Sequence, residues 1–367
     1  MRKSGYYEKL GNIEYFIPFP LPPKEPFLQL DNETIHLYGE TMNALGKLNE
    51  MTNNLPEKKH FIKAYVIKEA LLSSAIEGIN TTLLEMYTQP FSGTKPNKDT
   101  QLVMNYQKSL DVAIALIKEG LPISSRIILS AHEVLMQSGE GDKSNPGHYR
   151  EQSVKVGNLV PPPFKYISNL MSELEQFINS DESITSVIKA GLAHAQFEII
   201  HPFLDGNGRI GRLLIVLMLI DNKILSEPIL YPSYYFKKYH FEYYNALDNV
   251  RTNGDFEGWI KFYLTAIKES AIDAYKRAQE IELLRQNIMD VVSSEKNSTD
   301  MIKALSIFFI YPIININELK NNLEVSYNTA KKIISRFIEL GFIVEETKQR
   351  RDKLFRFKTY LDILERD

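Results

Sequence analysis

Apolar residues recur at helical spacing through most of the 367-residue chain, and the interruptions of that spacing mark its elements. A helix is predicted over 32–53, Pro56 marks the next start, and 58–76 follows with Phe61, Tyr65, Ala70, Leu72 and Ile76 among its apolar positions. Val187, Ile188, Leu192, Ala195 and Ile199 predict a buried helix over 184–200, and the almost wholly apolar 210–220 predicts a second. A dense polar run, 201–212, stands in the turn between them. Upstream, Asn145-Pro-Gly-His-Tyr-Arg150, Val154-Lys-Val-Gly157 and Pro161-Pro-Pro163 alternate and then break, which predicts a β-hairpin or flap. Residues 255–263, with the single Trp259, predict an amphipathic helix; 273–292 reads as a long polar helix and 293–298 as a linker. The first 30 residues, rich in Pro and aromatics, read as an extended arm lying on a folded surface.

Past the linker, Ile316-Asn-Glu-Leu-Lys320 and 325–341, followed by Phe342-Ile-Val-Glu-Glu346 and Phe355-Arg-Phe357, look like a winged helix-turn-helix. Ser326 reads as an N-cap, Ala330, Ile333, Ile334, Phe337 and Leu340 share a face, and Gly341 ends the helix. Lys331, Lys332, Arg336, Lys348, Arg350, Arg351, Lys353, Arg356 and Lys358 make this stretch basic, which suits DNA phosphates. A solvated or protein-contacting face is the alternative reading of the same residues.

Composition narrows the class. With 44% hydrophobic and 24% charged residues the chain is that of a soluble globular protein of two or three domains. The net charge of −3 gives no overall pull toward nucleic acid or acidic lipid. The absence of Cys excludes disulfide and thiolate-metal sites. No apolar segment follows MRKSGYYEKL, and the longest strongly apolar run, Leu213 to Ile220, is too short to span a bilayer. A cytoplasmic protein without a membrane partner is expected.

The run His201-Pro-Phe-Leu-Asp-Gly-Asn-Gly-Arg-Ile-Gly-Arg212 carries the chemistry. Gly206 and Gly208 let successive amides converge on an anion, and the following helix adds the positive end of its dipole. Arg209 and Arg212 offer planar forks to phosphate oxygens, Asp205 supplies a hard oxygen for Mg²⁺, and Asn207 can donate its side-chain amide to a further phosphate oxygen. His201, with an ordinary pKa near neutrality, is suited to take a proton from an attacking hydroxyl. The loop holds no Ser, Cys or Thr, so the nucleophile arrives on another molecule and the implied reaction is group transfer from a nucleotide.

This run resembles the signature of the Fic family, His-x-Phe-x-(Asp/Glu)-Gly-Asn-Gly-Arg-x-x-Arg, at every fixed position. The resemblance implies AMP transfer from ATP to a Ser, Thr or Tyr hydroxyl of a protein, this chain itself included, with release of pyrophosphate. It implies that His201 is the general base, that Asp205 holds Mg²⁺, and that Gly206 to Gly208 cradle phosphates. Asn207 would meet the α-phosphate, Arg209 and Arg212 the distal phosphates, and Phe203 would pack to fix the loop. The whole stretch Asp205 to Arg212, Ile210 and Gly211 included, is assigned to nucleotide contact.

Ser73-Ser-Ala-Ile-Glu77-Gly78 ends the predicted helix 58–76 and looks like the inhibitory element of the same family, with Ser73, Glu77 and Gly78 in the matching places. A carboxylate beside Arg212 would neutralise the fork that binds the γ-phosphate. The simpler reading is a helix end capped by Gly78 with Glu77 in solvent. The 145–163 segment resembles the Fic flap, which aligns a target peptide by adding a strand; Val154, Lys155, Val156 and Gly157 are assigned to the nucleotide side of it, and His148 reads as structural. In the aromatic-rich stretch after the motif, the resemblance places a Tyr of the pair Tyr243-Tyr244 near the adenine, Tyr244 first, with Arg251 approaching the same face. Core or surface packing is the competing reading of these aromatics.

The expected architecture is mainly α: a Fic-type helical bundle with a small β-hairpin flap, plus a C-terminal winged helix-turn-helix. The expected division is 1–95 for the N-terminal region with the inhibitory helix, 96–272 for the catalytic core, 273–298 for a linker helix and 299–367 for the winged module. A homodimer is among the expected assemblies. Removal of AMP by the same site, and a DNA-binding regulator that uses the nucleotide site as a sensor, are the alternatives.

Overall fold

The computed structural model describes residues 2–55, 58–137, 145–181, 183–295, 297–346 and 353–366. Pro56, named above as a helix start, and Lys348, Arg350 and Arg351 of the basic stretch lie outside the described residues.

The N-terminal segment is a hairpin rather than an extended arm. β1 (Gly5–Leu10) pairs antiparallel with β2 (Ile13–Pro18), Tyr7 opposite Phe16 and Glu8 opposite Tyr15. Gly11, at φ 64°, takes the positive φ that a tight hairpin turn demands. Gly5 matters for a different reason: a Cβ there would stand 2.2 Å from the carbonyl oxygen of Ile17. Tyr15, Phe16 and Ile17 turn inward and are buried, which repays the ordering of the segment.

The helices follow the apolar spacing. α1 (Asn32–Asn54) starts at an Asp31 cap, whose carboxylate accepts from the backbone N–H of Thr34 at 2.9 Å. α2 (Lys58–Ile76), α3 (Leu83–Thr88), α4 (Lys98–Lys118), α5 (Ser125–Leu135) and α6 (Phe164–Ile178) lead to the central pair, α7 (Ser186–Ile200) and α8 (Asn207–Asp221). From Val187 to Ile200 every residue of α7 except Glu198 is buried, and α8 is buried from Arg209 to Leu219. A helix surrounded on all sides needs no polar face, which is why neither shows one. α8 begins at Asn207, ahead of the apolar run, because Gly206 at φ 81° caps it and places Asn207, Gly208 and Arg209 in its first turn.

α9 (Ser233–Lys238) and α10 (His240–Asn253) precede α11 (Phe256–Ser293), a single 38-residue helix. The two helices expected over 255–263 and 273–292 are thus one, and the expected boundary at 272 falls inside it. The intervening 264–272 has no Gly or Pro, and Leu264, Ala266, Ile267, Ser270 and Ala271 continue the buried stripe. Gly191 of α7 lies against α11 so closely that a Cβ would stand 2.6 Å from the Tyr263 ring, while Trp259 donates its indole N–H to the Gly191 carbonyl at 2.8 Å. Gly191→Ala is therefore expected to cost about 2 kcal/mol through overpacking, read as a lower urea midpoint at unchanged slope.

Beyond α11 come α12 (Ser298–Ile310), β3 (Ile313–Ile314), α13 (Ile316–Leu323), α14 (Tyr327–Glu339), β4 (Val344–Glu345), β5 (Phe355–Arg356) and α15 (Lys358–Glu365). The strands form an antiparallel sheet in the order β3-β5-β4. Ser326 caps α14 by accepting from Thr329 N–H at 3.1 Å, and Ala330, Ile333, Ile334 and Phe337 face inward. α15 buries Tyr360, Leu361, Ile363 and Leu364 and packs on α11, and the Lys68 ammonium of α2 donates to the Leu364 carbonyl at 2.7 Å. The C-terminal module is thereby seated on the helical bundle.

The expected flap is reduced to a turn. Among the described residues of 145–163, the pairing is a bridge between Val156 and Leu159, their N–H and C=O groups exchanging two bonds of 2.9 Å around Gly157 at φ 55°. No longer ladder forms because Pro161 to Pro163 have no N–H to offer and the Val160 carbonyl is taken by the N–H of Phe16 at 2.9 Å.

Candidate active site

α7 ends at His201, which adopts the left-handed conformation (φ 50°, ψ 62°) that a non-glycine residue enters only at a cost of order 1 kcal/mol. The surroundings enforce it. Buried Arg150 donates from Nε to the His201 carbonyl (2.8 Å), from Nη2 to Pro162 (2.7 Å) and from Nη1 to Gln152 (2.8 Å), and its backbone N–H donates to Pro202 (2.9 Å). One guanidinium fastens the base of the flap to the turn that carries His201.

Burial, reinforced by the charge of Arg150, pushes the His201 ring down to about 4, against the opposing pull of Glu77 and Asp205. The ring is neutral at pH 7, and its Nδ1 is buried without a hydrogen-bond partner. Phe203 is held from two sides: its N–H donates to Asn207 Oδ1 (2.8 Å), its carbonyl accepts from Asn207 Nδ2 (2.9 Å), and its ring stacks on His132 at 3.7 Å. The Asn207 amide, expected to reach a phosphate oxygen, is thus engaged inside the loop. The N–H groups of the first turn of α8 remain for an anion.

His132 of α5 was not foreseen. Its Nδ1 accepts from Gly147 N–H at 3.0 Å, which leaves the proton on Nε2 to donate to the Asp205 carbonyl at 3.0 Å. Burial holds its pKa down to about 4 and keeps that neutral tautomer. A lone His on an amphipathic helix carries no sequence signal of this role.

Arg209 is buried, with Nη2 3.4 Å from Asp205 Oδ1 and with Nε and Nη1 buried and unpartnered. Donors left unpaired in a protein interior mark a place where an acceptor from another molecule fits. Arg212, fully buried, donates from Nε to Ser73 Oγ (2.9 Å) and from Nη2 to both Ser73 O (2.9 Å) and Glu77 Oε1 (2.6 Å). Burial works against the Glu77 carboxylate, yet Arg212, with Arg209, outweighs it and holds its pKa below the usual range. A Cβ on Gly208 would stand 2.2 Å from Glu77 Oε1, so the carboxylate rests directly on the glycine loop. Glu77 is therefore drawn into the site by Arg212, with its side chain still 31% exposed.

A cavity of about 440 Å³ opens beside His201, lined by Val156, Gly157 and Leu159 of the flap, Glu198 of α7, and Tyr244 and Arg251 of α10. Val154 and Lys155 stand outside this wall. Tyr243 is in the core, its hydroxyl 2.8 Å from His194 Nε2 and its ring 4.6 Å from Phe236, whereas Tyr244 is 40% exposed and forms part of the wall. His148 turns to the carbonyl of Pro146, away from the cavity. Glu198 was also missed: its Oε1 is buried without a partner, and burial pushes its carboxyl up to about 7, opposed by Arg212. The readable signal was the lone carboxylate of a mostly apolar helix, three residues before His201.

Asp205 suits a cation bound mainly by its ligand. Its side chain is 53% exposed, and among the described residues no group of three or more His, Cys, Asp or Glu gathers to form a closed cage. One carboxylate completed by phosphate oxygens and water is the donor set that Mg²⁺ commonly takes.

Half of the described basic residues of the C-terminal stretch are paired. Arg336 meets Glu295 (2.8 Å) and Glu339 (2.9 Å), Lys353 meets Glu345 (2.8 Å) and Arg356 meets Glu346 (3.0 Å), leaving Lys331, Lys332 and Lys358 exposed. No helix among the described residues is long and apolar enough to cross a membrane.

Known proteins resemble this chain in sequence and in fold. Residues 122–219 match the Fic/DOC family and 35–115 match the Fic/DOC family N-terminal region. The protein adenylyltransferase Fic of Drosophila mojavensis is 27% identical over 293 residues, covering 75% of this chain and 55% of the relative; that of Drosophila grimshawi is 28% identical over 270 residues, covering 70% and 53%. The chain thus spans about half the length of the curated relatives it matches. A Fic family protein from Desulfovibrio desulfuricans G20 superposes with a TM-score of 0.58 at 21% identity, over 90% of this chain and 97% of that one. A Fic domain containing signaling protein from Bacteroides thetaiotaomicron VPI-5482 superposes with a TM-score of 0.52 at 18% identity, over 65% and 97%. Residues 122–219 thus match the Fic/DOC family and 35–115 its N-terminal region, and the helical bundle shares the fold of the Fic proteins on which it superposes.

Proposed function

We propose that the protein transfers AMP from ATP to a Ser, Thr or Tyr hydroxyl of a protein. The observation that carries this reading is a neutral His201 on the wall of one cavity, followed in the same loop and helix turn by an Arg209 whose Nε and Nη1 are buried without partners. His201 takes the hydroxyl proton as the oxygen attacks the α-phosphorus. The bond from that phosphorus to the bridging oxygen breaks, and pyrophosphate leaves. The amides of the α8 first turn, Arg209 and, once released, Arg212 hold the phosphates. Asp205 would hold Mg²⁺, which neutralises phosphate charge when bound. The test is transfer of α-³²P-labelled AMP from ATP to the chain itself and to a lysate.

The same reading makes Glu77 an inhibitor in cis, because its carboxylate occupies the loop and Arg212 at once. Removal of AMP from a modified protein is the second reading, favoured by an ionised Glu77 close enough to His201 for each to shift the other's pKa, where it can orient a water. Release of label from a modified protein by the parent chain, and not by Glu77→Gly, would select it. We read the C-terminal module as a winged helix for protein contact, since Arg336, Lys353 and Arg356 are each engaged by a neighbouring carboxylate.

The pH dependence tests the base. Its neutral form is required, so the rate falls as pH drops through its pKa. For free imidazole that would be near 6.5, but for His201 it is about 4, and loss of Glu77 lowers it further. In Glu77→Gly, kcat/KM is expected to hold from pH 8 to about 5 and to fall below that. Glu198, which titrates near 7, is separated by repeating the profile in Glu77→Gly with Glu198→Gln. A limb at 6.5 in both would argue against a buried base.

A further inference from the structure

The hairpin β1-β2 lies outside both regions that match the Fic/DOC family, yet it touches both walls of the His201 cavity. On the α10 side, Arg251 donates from Nη1 to the Tyr7 hydroxyl, and Ser4 Oγ donates to the Arg251 carbonyl at 3.0 Å. On the flap side, the Tyr15 hydroxyl bonds Ser153 Oγ at 2.8 Å, and the Phe16 N–H donates to the Val160 carbonyl at 2.9 Å. Within the hairpin the Tyr7 ring packs edge-on against buried Phe16 at 5.2 Å, so the two anchor points are rigidly linked. The hairpin is itself fixed to the bundle: Gln196 of α7 donates to the Phe19 carbonyl at 3.0 Å, and Arg2 pairs with Glu257 at 2.6 Å.

Arg251 has its other donors on Asp248, at 2.6 and 3.0 Å, so Tyr7 and Asp248 together define where its guanidinium stands. A long flexible cation on a cavity wall loses rotamer entropy on binding unless neighbours hold it beforehand. We propose that the N-terminal hairpin sets the spacing of the two cavity walls, with Tyr7 as the positioning residue for Arg251 and Tyr15 as that for the flap, and that it thereby raises affinity for the nucleotide. The inference rests on the cavity being the nucleotide site.

The test is isothermal titration of ATP with Mg²⁺ into Glu77→Gly and, in that background, Tyr7→Phe, Arg251→Ala and both, with AMP transfer followed in parallel. Tyr7→Phe removes one exposed hydroxyl and keeps the ring packing. Loss of one hydrogen bond to a charged group is expected to raise Kd and KM about fivefold with kcat unchanged. Arg251→Ala should weaken binding further, and adding Tyr7→Phe to it should change nothing more, because the hydroxyl acts through the arginine. Tyr15→Phe is expected to raise KM without the Arg251 coupling. Equal ATP affinity in Glu77→Gly and Tyr7→Phe, or fully additive effects with Arg251→Ala, would overturn the inference. Failure of Glu77→Gly itself to bind ATP would instead overturn the nucleotide reading beneath it.

Discussion

Replacing Glu77 with Gly is expected to raise AMP transfer by roughly 10- to 100-fold over the parent chain, the worth of one charge-assisted hydrogen bond released from a buried site. The change takes a carboxylate off the glycine loop and frees one of the two Nη2 hydrogens of Arg212, which is otherwise given to Glu77 at 2.6 Å. Arg212 remains tied to Ser73 through Nε and Nη2, so its fork stays in place for a phosphate. It also becomes a buried cation without its counter-ion, a state that an anionic ligand relieves. ATP is therefore expected to raise the melting temperature of Glu77→Gly more than that of the parent, and Glu77→Gln should fall between them. Equal labelling by the parent and Glu77→Gly, with ATP bound in both, would remove inhibition from the account.

Loss of His201 is expected to lower transfer by about 10²- to 10⁴-fold in the Glu77→Gly background while ATP affinity changes little, the usual scale for a general base. The substitution must respect the backbone, since His201 sits at φ 50° and Ala there is strained. His201→Asn is the better variant, because Asn tolerates the left-handed conformation and Arg150 grips only the backbone carbonyl. His201→Ala serves as the second variant, with melting temperature as the control for folding. Full transfer by folded His201→Asn would show that another group takes the proton.

The motif was legible because it is local: Gly206, Gly208, Arg209 and Arg212 fall within one loop and the first turns of one helix, whose geometry gathers them. The buried helices on either side were legible from continuous apolar character, and α14 from its cap, its apolar face and Gly341. The hairpin β1-β2 was not, although Gly11-Asn12 between aromatic runs is a turn signal. The density of Pro around it pointed to an extended arm. Nor was the fusion of 255–292 into one helix: 264–272 holds no breaker, but the change to polar character past 272 reads as the start of a separate element.

Among neighbouring residues, helical phase alone separates Tyr243, turned into the core, from Tyr244 on the cavity wall, since successive side chains on a helix point about 100° apart. Spacing could place Ser73 and Glu77 on a helix end, but their bonds to Arg212 cross 139 and 135 positions of chain. The sequence by itself determined the reactive groups, their order in the loop and the helices that present them. Only the tertiary structure decided that Asn207 turns back on Phe203, that Glu77 lies on Gly208, and that burial holds His201 neutral. Each of these depends on which distant surfaces exclude water from one small volume, and local periodicity carries no record of that.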